Sequence, residues 1–445
     1  MSEIKTKRPY KGCLSSESTS KRPAIASNPA LSHEARSRSS LPRRHNRAMP
    51  ELEDHRWLAS PEAARLLDDL AGTTATPAVV QQLRKATTAA RAGLLIELAE
   101  LRRRGAAKFS HAGQMHFTRR GLEQATDEWI ARYKAQRFQD IESAVDICSG
   151  VGGDLIGLAG VCGVTGIDRD PVMAGFAELN ASVYGNECKT LAVDADEQTV
   201  GGFGAWHADP DRRPADRRTS QPESHEPPLS LLEHWRESQP NCAVKLAPAA
   251  QLPDHWQKDC ELEWVSRAGE CRQQVAWSGA LAQAHGKRRA TRLAPTGEVS
   301  GSFVGTPHIG IEPAPRLGRF VYDLDPSVLA ASLDGALATA HGLASVSSRA
   351  AYLTGDIHTE EPLLSCFEVI ETLALDRRRL ASWLKQRNIG KLEIKCRGVD
   401  ITPEKLRKEL KPQGDGRMTL LICPAPGERR GKTMVIAARR TKPTA

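Results

Sequence analysis

The sequence predicts an α/β protein in which a parallel sheet follows a helical module and precedes a small α+β domain. Three observations predict it. From Ile141, short apolar runs alternate with amphipathic helical stretches. Before that, Trp57 to Phe138 carries helical spacing alone, and the last 125 residues return to mixed strand and helix patterns. A chain of 445 residues is long enough for two or three domains with a sizeable core.

Residues 1–48 are rich in Ser, Arg and Pro and short of large apolar side chains. They bury too little surface to offset ordering entropy and read as a disordered basic tail. Met49 stands just before the first patterned residues, so the tail depends on the choice of start codon. The helical module spans 49–140. It opens at "ASPEAARLL", where Ser60 is the N-cap and Pro61 the first turn. "VVQQLRKATTAARAGLLIELAELRRRG" continues it and stops at Gly105, and "FTRRGLEQATDEWIARYKAQRF" starts from Thr118 as a cap.

The sheet domain is expected over 141–296, with strands at 144–148, 163–168, 190–193, 204–208 and 242–246, and additions at 261–265 and 289–294. A polar, Pro-rich insertion, 209–240, leaves the fourth strand, a length of loop that is usually functional or disordered. Residues 297–316 read as a Gly/Pro linker. The final domain, 317–445, holds "RFVYDLD", a helix from Pro326 to His341, "CFEVIETLAL", a helix capped by Asp376, "KLEIKCRG", a helix starting at Thr402–Pro403, and two last strands. An antiparallel sheet is expected there.

The net charge of +8 conceals segregation. The tail carries +8 and residues 385–445 carry +10, which leaves −10 for the middle. Basic ends around an acidic body favour a polyanionic partner. The ten cysteines include no CxxC pair, so no metal site or disulfide framework is indicated and reduced thiols in a cytoplasmic protein are expected. No apolar run approaches the roughly 20 residues of a bilayer span, and the N-terminus lacks the apolar core of a secretory signal.

"VDICSGVGGD" carries the chemistry. The first strand ends at Asp146–Ile147–Cys148, and Gly150, Gly152 and Gly153 follow, freeing backbone amides to approach a ligand near a helix start. A dinucleotide site needs G-x-G-x-x-G, but Leu155 stands where the third glycine belongs. S-adenosylmethionine needs no pyrophosphate site. It needs an acid for its ammonium and hydroxyls, and Asp146 and Asp154 supply carboxylates here. Asp168 ends the second strand where ribose hydroxyls are met, and Asp194 ends the third beside an adenine pocket.

"DICSGVGGD…VTGIDRDPVMAGFAELNASVYG" resembles the class I S-adenosylmethionine-dependent methyltransferases, in particular a bacterial branch with a C-terminal THUMP-like domain. It is similar in its glycine loop to the RNA cap guanine-N2 methyltransferases, with Asn180, Tyr184 and Gly185 matching their helix end. "KFSHAGQMHFTRRGLEQAT", "ADPDRR", "ELEWVSRAGE", "AYLTGD" and "KLEIKCRGVDITPEKLRKEL" follow in the branch's order. The resemblance implies a Rossmann-like sheet, S-adenosyl-L-methionine as cofactor and an RNA substrate, since THUMP domains proper bind RNA. Asp209, at the fourth strand end, is then expected to orient or deprotonate the acceptor, with Pro210 stiffening the turn.

This chain departs from the Asn/Asp/Ser–Pro–Pro–aromatic run common in enzymes that methylate exocyclic amino groups of bases, reading Asp209–Pro210–Asp211–Arg212 with no aromatic to stack on a base. Arg212 or Arg213 is left to meet a phosphate or stack through its guanidinium. Lys245 reads as a surface lysine, and Trp264, beside Glu263, as core. Lys108, Phe109 and Arg119 are candidates for a cleft wall. Lys395, Arg397, Lys405 and Lys408 are expected to grip RNA phosphates. A non-catalytic RNA-binding protein that keeps the fold is the alternative reading.

Overall fold

The computed structural model describes residues 52–211, 220–347, 350–426 and 432–441; the basic tail, Arg212 and Arg213 lie outside the described residues. The capping signals act as their chemistry dictates. Ser60 Oγ accepts from Ala63 N, Thr118 Oγ1 from Gly121 N, and Asp376 from Arg379 N. Two long helical stretches are broken by caps of their own. Thr88 restarts the chain after the helix Pro77–Ala86 and opens Ala89–Gly105, and Asp127 separates Arg119–Gln124 from Glu128–Ala135.

The first sheet comprises β1 (Ser143–Ile147), β2 (Gly163–Ile167), β3 (Lys189–Leu191), β4 (Ala205–Ala208), β5 (Cys242–Leu246), β6 (Glu261–Arg267), β7 (Glu270–Ser278), β8 (Arg288–Leu293) and β9 (Val299–Gly305). Their order is β3-β2-β1-β4-β5-β7-β6-β8-β9. The first five are parallel, and β7 enters antiparallel between β5 and β6. β7 goes beyond the strands expected: "ECRQQVAWS" begins polar, and its apolar run starts only at Val275. The stretch expected as a linker instead contributes β9, which pairs antiparallel with β8.

The second sheet comprises β10 (Phe320–Leu324), β11 (Ala344–Ser347), β12 (Ala350–Gly355), β13 (Leu364–Ala374), β14 (Ile389–Cys396), β15 (Gly416–Pro424) and β16 (Thr433–Arg440), in the order β11-β12-β10-β13-β16-β15-β14. It is antiparallel except for β14 and β15, which run parallel because the helix Pro403–Leu410 carries the chain back between them. Val321, Tyr352, Phe367, Leu421 and Ile436, from five strands, share one apolar cluster, and Ser347 on β11 donates to the Pro424 carbonyl on β15 at 3.1 Å, so the sheet curls upon itself. The helices Pro326–Ala330 and Asp334–Ala340, expected as one, part at Ser332, a residue with positive φ. Val328, Leu333 and Leu337 share a core with Trp264 and Ala290 of the first sheet.

Strand alternation positions the site. Val145, Ile147, Trp206, Ala208, Val244 and Leu246 belong to one core, and Ala144, Ala205 and Ala243 to another. Asp146, His207 and Lys245 continue the second set toward the carboxyl ends of β1, β4 and β5. Asp146 and His207 are register partners.

Candidate active site

β1 pairs with β2 on one side and β4 on the other, so the strand order reverses there, and a crevice outside the strand ends follows from topology. The crevice holds a cavity of about 500 Å³. Asp146, Asp168, Asp194 and Asp209 all line it, as do Cys148, Gly150, Gly153, Asp154 and Pro210. Gly152 lies just behind the wall. Its φ is +85°, and a Cβ there would come within 3.1 Å of the Ala177 backbone. A Cβ on Gly150, φ +55°, would meet no atom within 4 Å. The glycines therefore serve two ends: one leaves room, the other lets a helix pack close.

Cys148 also has positive φ, 58°, an uncommon conformation for a side chain with a Cβ. Burial and the carboxylates of Asp168, Asp209 and Asp146 push its thiol well up, so it lines the cavity as a neutral group rather than a nucleophile. Asp168 accepts the N–H of Gly150 at 2.9 Å and that of Asp170 at 2.9 Å, which orients its carboxyl into the loop. Burial raises its affinity for a proton, and those two bonds offset only part of that effect.

Beneath the cavity runs a chain of buried ionisable groups in which sequence reasoning found Asp146 and Asp154 but missed Lys134 and His207. Lys134 Nζ donates to His207 Nε2 at 3.1 Å, so the imidazole carries its proton on Nδ1 and donates it to Asp146 Oδ1 at 2.7 Å. Lys134 also pairs with Asp154 at 2.6 Å, and Thr126 donates to the other Asp154 oxygen at 2.7 Å. Burial pushes the Asp154 carboxyl up, but the ammonium groups of Lys134 first and Lys245 after it outweigh that and hold the group well below the usual carboxylate range. Asp154 is thus engaged within the protein, although it touches the cavity. Asp146 differs. Burial pushes its carboxyl up despite the His207 bond, and its Oδ2 is buried without a hydrogen-bond partner among the described residues.

Lys245 is not a surface lysine. It is buried, pairs with Asp209, and donates to the Gln124 carbonyl at 3.4 Å. Its burial follows from the strand beside it: β5 is covered on both faces, which the local residues "VKLAP" do not reveal. Lys108 turns inward as well, donating to the carbonyls of Leu122, Glu123 and Ala125, while burial and Lys245 lower its pKa to about 8. Phe109 is core, and Arg119 pairs with Glu97 at 3.4 Å. None of these three lines the cavity. The helical module reaches it through Arg120, Gln124 and Thr126 instead. Arg120 pairs with Asp211, which also accepts from Gln124 Nε2 at 2.8 Å. The Asp–Pro–Asp turn is thereby tied to the module. Trp235 is the one aromatic among the described residues that lines the cavity.

The basic candidates in the C-terminal domain divide. Lys395 and Arg397 pair with buried Asp323 at 2.7 and 3.0 Å, a contact made possible by the curl of the second sheet. Lys405 and Lys408 are exposed on the helix Pro403–Leu410, which buries Leu406 and Leu410. Among the described residues no group of His, Cys, Asp and Glu is arranged to hold a metal, and no helix is long and apolar enough to cross a membrane.

Comparison with known proteins places this geometry among relatives. A family described as THUMP domain-like matches residues 364–440. An uncharacterised S-adenosylmethionine-dependent methyltransferase of Mycobacterium tuberculosis, found in strains CDC 1551 and H37Rv, is 32% identical over 345 residues, covering 75% of this chain and 92% of its own. A crystal structure of a candidate methyltransferase from Porphyromonas gingivalis W83 shares the fold with a TM-score of 0.67 at 19% identity, covering 88% of this chain and 98% of its own.

Proposed function

The chain belongs to the S-adenosylmethionine-dependent methyltransferases, and from that premise we propose that it methylates RNA held by its basic C-terminal end. S-adenosyl-L-methionine is the cofactor, and when bound it supplies a methyl group made electrophilic by a sulfonium, so the protein's contribution is chiefly positioning. The residues fit that group. Asp146 lines the cavity and its buried Oδ2 has no hydrogen-bond partner among the described residues, so it would accept from an ammonium. Asp168 offers its carboxyl to ribose hydroxyls. Asp194, with Val193 and Leu231 beside it on the wall, suits an adenine edge and face. Where the acceptor is a nitrogen, Asp209 would accept its N–H and so orient it, and Pro210 stiffens the turn that carries Asp209.

The observation that carries the reading is the convergence of four strand-end carboxylates on one cavity beside the strand-order reversal. RNA as substrate is supported by the +10 charge of residues 385–445 and by the THUMP-like match that overlaps them. Nucleoside mass spectrometry of total RNA from a deletion strain tests it, with one methylated nucleoside expected to disappear and to return on complementation. RNA bound with steep salt dependence but never methylated favours the binding protein instead.

A further inference from the structure

We propose that Lys245 is a positioning residue that fixes the Asp209 carboxylate at the acceptor end of the cavity and never touches substrate. The proposal rests on the reading of Asp209 as the group that holds the acceptor.

Lys245 follows Val244, the register partner of Ala208, which brings it level with Asp209 one strand away. It is 6% exposed and is not part of the cavity wall. An ammonium ion buried without partners is strongly unfavourable, so its surroundings define its role. Three acceptors from three elements surround it: the Asp209 carboxylate after β4, the Gln124 carbonyl at the end of a helix of the N-terminal module, and Asp154 Oδ2 at 3.9 Å after β1. An ammonium has three donors and no acceptor. Two of them meet the Asp209 carboxylate and the Gln124 carbonyl, Asp154 Oδ2 stands at ion-pair distance, and the side chain is absent from the cavity wall that would meet substrate.

Asp209 sits at the other end of the contact. Lys245 holds its Oδ2, while Oδ1 has no hydrogen bond among the described residues and the side chain lines the cavity. One oxygen is anchored, and the other is presented. Without the anchor, a carboxylate on a strand-to-loop exit is free to turn about its side-chain bonds. A misplacement of about 1 Å at a reacting centre lowers rate by about 100-fold.

A second lysine supplies the contrast. Lys134 serves the cofactor end through His207 and Asp146, and Asp154 lies between the two lysines. Removing Lys245 leaves Asp154 paired with Lys134 and Thr126. The two ends are therefore separable by mutation.

The test uses the full chain, S-adenosylmethionine, and total RNA from a deletion strain as methyl acceptor. For Lys245→Met, calorimetric cofactor affinity is expected to stay within about threefold of the unmutated protein, while kcat falls about 100-fold with little change in KM for RNA. Lys245→Arg, which keeps the charge, is expected to recover at least about tenfold of that loss. Crystal structures of both proteins are expected to show Asp209 turned away from its original position in the Met variant. If that variant does not fold, Lys245→Gln, which keeps donors without charge, replaces it in every arm. An unchanged kcat, a parallel loss of cofactor affinity, or an unmoved Asp209 overturns the proposal. If the unmutated protein methylates no RNA, the substrate reading falls, and the crystallographic comparison decides the role of Lys245 by itself.

Discussion

A single oxygen illustrates how burial and function meet in this site. Asp146 Oδ1 is held by His207, while Oδ2 is buried and lacks a partner among the described residues. An acceptor left open in a buried place is unfavourable until a donor arrives, and a cationic donor gains most from it. Asp146→Asn keeps the shape and removes the charge. Since a hydrogen bond to a charged group is worth about 1.5–3 kcal/mol, calorimetry is expected to show cofactor affinity reduced by about 10- to 100-fold. Unchanged affinity places the ammonium elsewhere. Gly152 supplies a second case, in which conformation rather than charge decides. Gly152→Ala forces a side chain into φ +85° and against the Ala177 backbone, and is expected to lower stability by about 1–2 kcal/mol in urea unfolding. Gly175→Ala is the control. It lies in the helix Pro171–Val183 with open space around it, and is expected to be neutral or stabilising by up to about 1 kcal/mol.

Among the elements, the N-terminal helical module carries a built-in response to acid. His116, half-buried in the loop before the helix Arg119–Gln124, is bonded through Nε2 to the Leu58 carbonyl, and its Nδ1 lacks a partner among the described residues. Burial first and the Arg102 guanidinium second lower its pKa to about 4, and the Leu58 carbonyl opposes them weakly. In the unfolded chain the imidazole titrates near its ordinary value of about 6.5. The unfolded state therefore binds the proton more readily, and stability present above about pH 6.5 is lost as pH falls toward 4, by up to roughly 3 kcal/mol. Urea midpoints at pH 7.5 and 4.5 are expected to differ less in His116→Gln than in the unmutated chain. Equal differences assign the acid response to other groups. Elements of this kind show where the sequence speaks plainly. Caps at Ser60, Thr118 and Asp376 and the strands flanking "SGVGGD" are local signals, so they were legible. The break at Thr88, the antiparallel β7 and the parallel pairing of β14 with β15 depend on what packs against them. The pairing of Lys134 with His207 and Asp154, and of Lys245 with Asp209, joins residues 20 to 73 positions apart and leaves no period to read.

For the molecule as a whole, the segregation of charge matters more than its total. Residues 385–445 carry +10, yet the cations there are not equivalent. Lys395 and Arg397 share the buried Asp323 carboxylate, so half of their charge is already answered within the protein. Lys405 and Lys408 project into solvent from the helix Pro403–Leu410. Affinity for a polyanion grows with the number of phosphates neutralised, because each releases condensed counterions, and the slope of log affinity against log salt counts them. Lys405→Gln with Lys408→Gln is therefore expected to lower that slope by about 1–2 for a fluorescently labelled RNA hairpin, measured by anisotropy across a series of KCl concentrations. Lys395→Gln with Arg397→Gln removes two cations but leaves Asp323 as an unanswered anion beside the same surface. It is expected to weaken binding at low salt, through repulsion as well as lost attraction, while changing the slope by less than the first pair does. Adding Asp323→Asn to that second variant removes the anion and is expected to restore part of the low-salt affinity without restoring the slope. If both double variants change the slope equally and Asp323→Asn restores nothing, the four cations act alike and the carboxylate plays no part in how this end meets RNA.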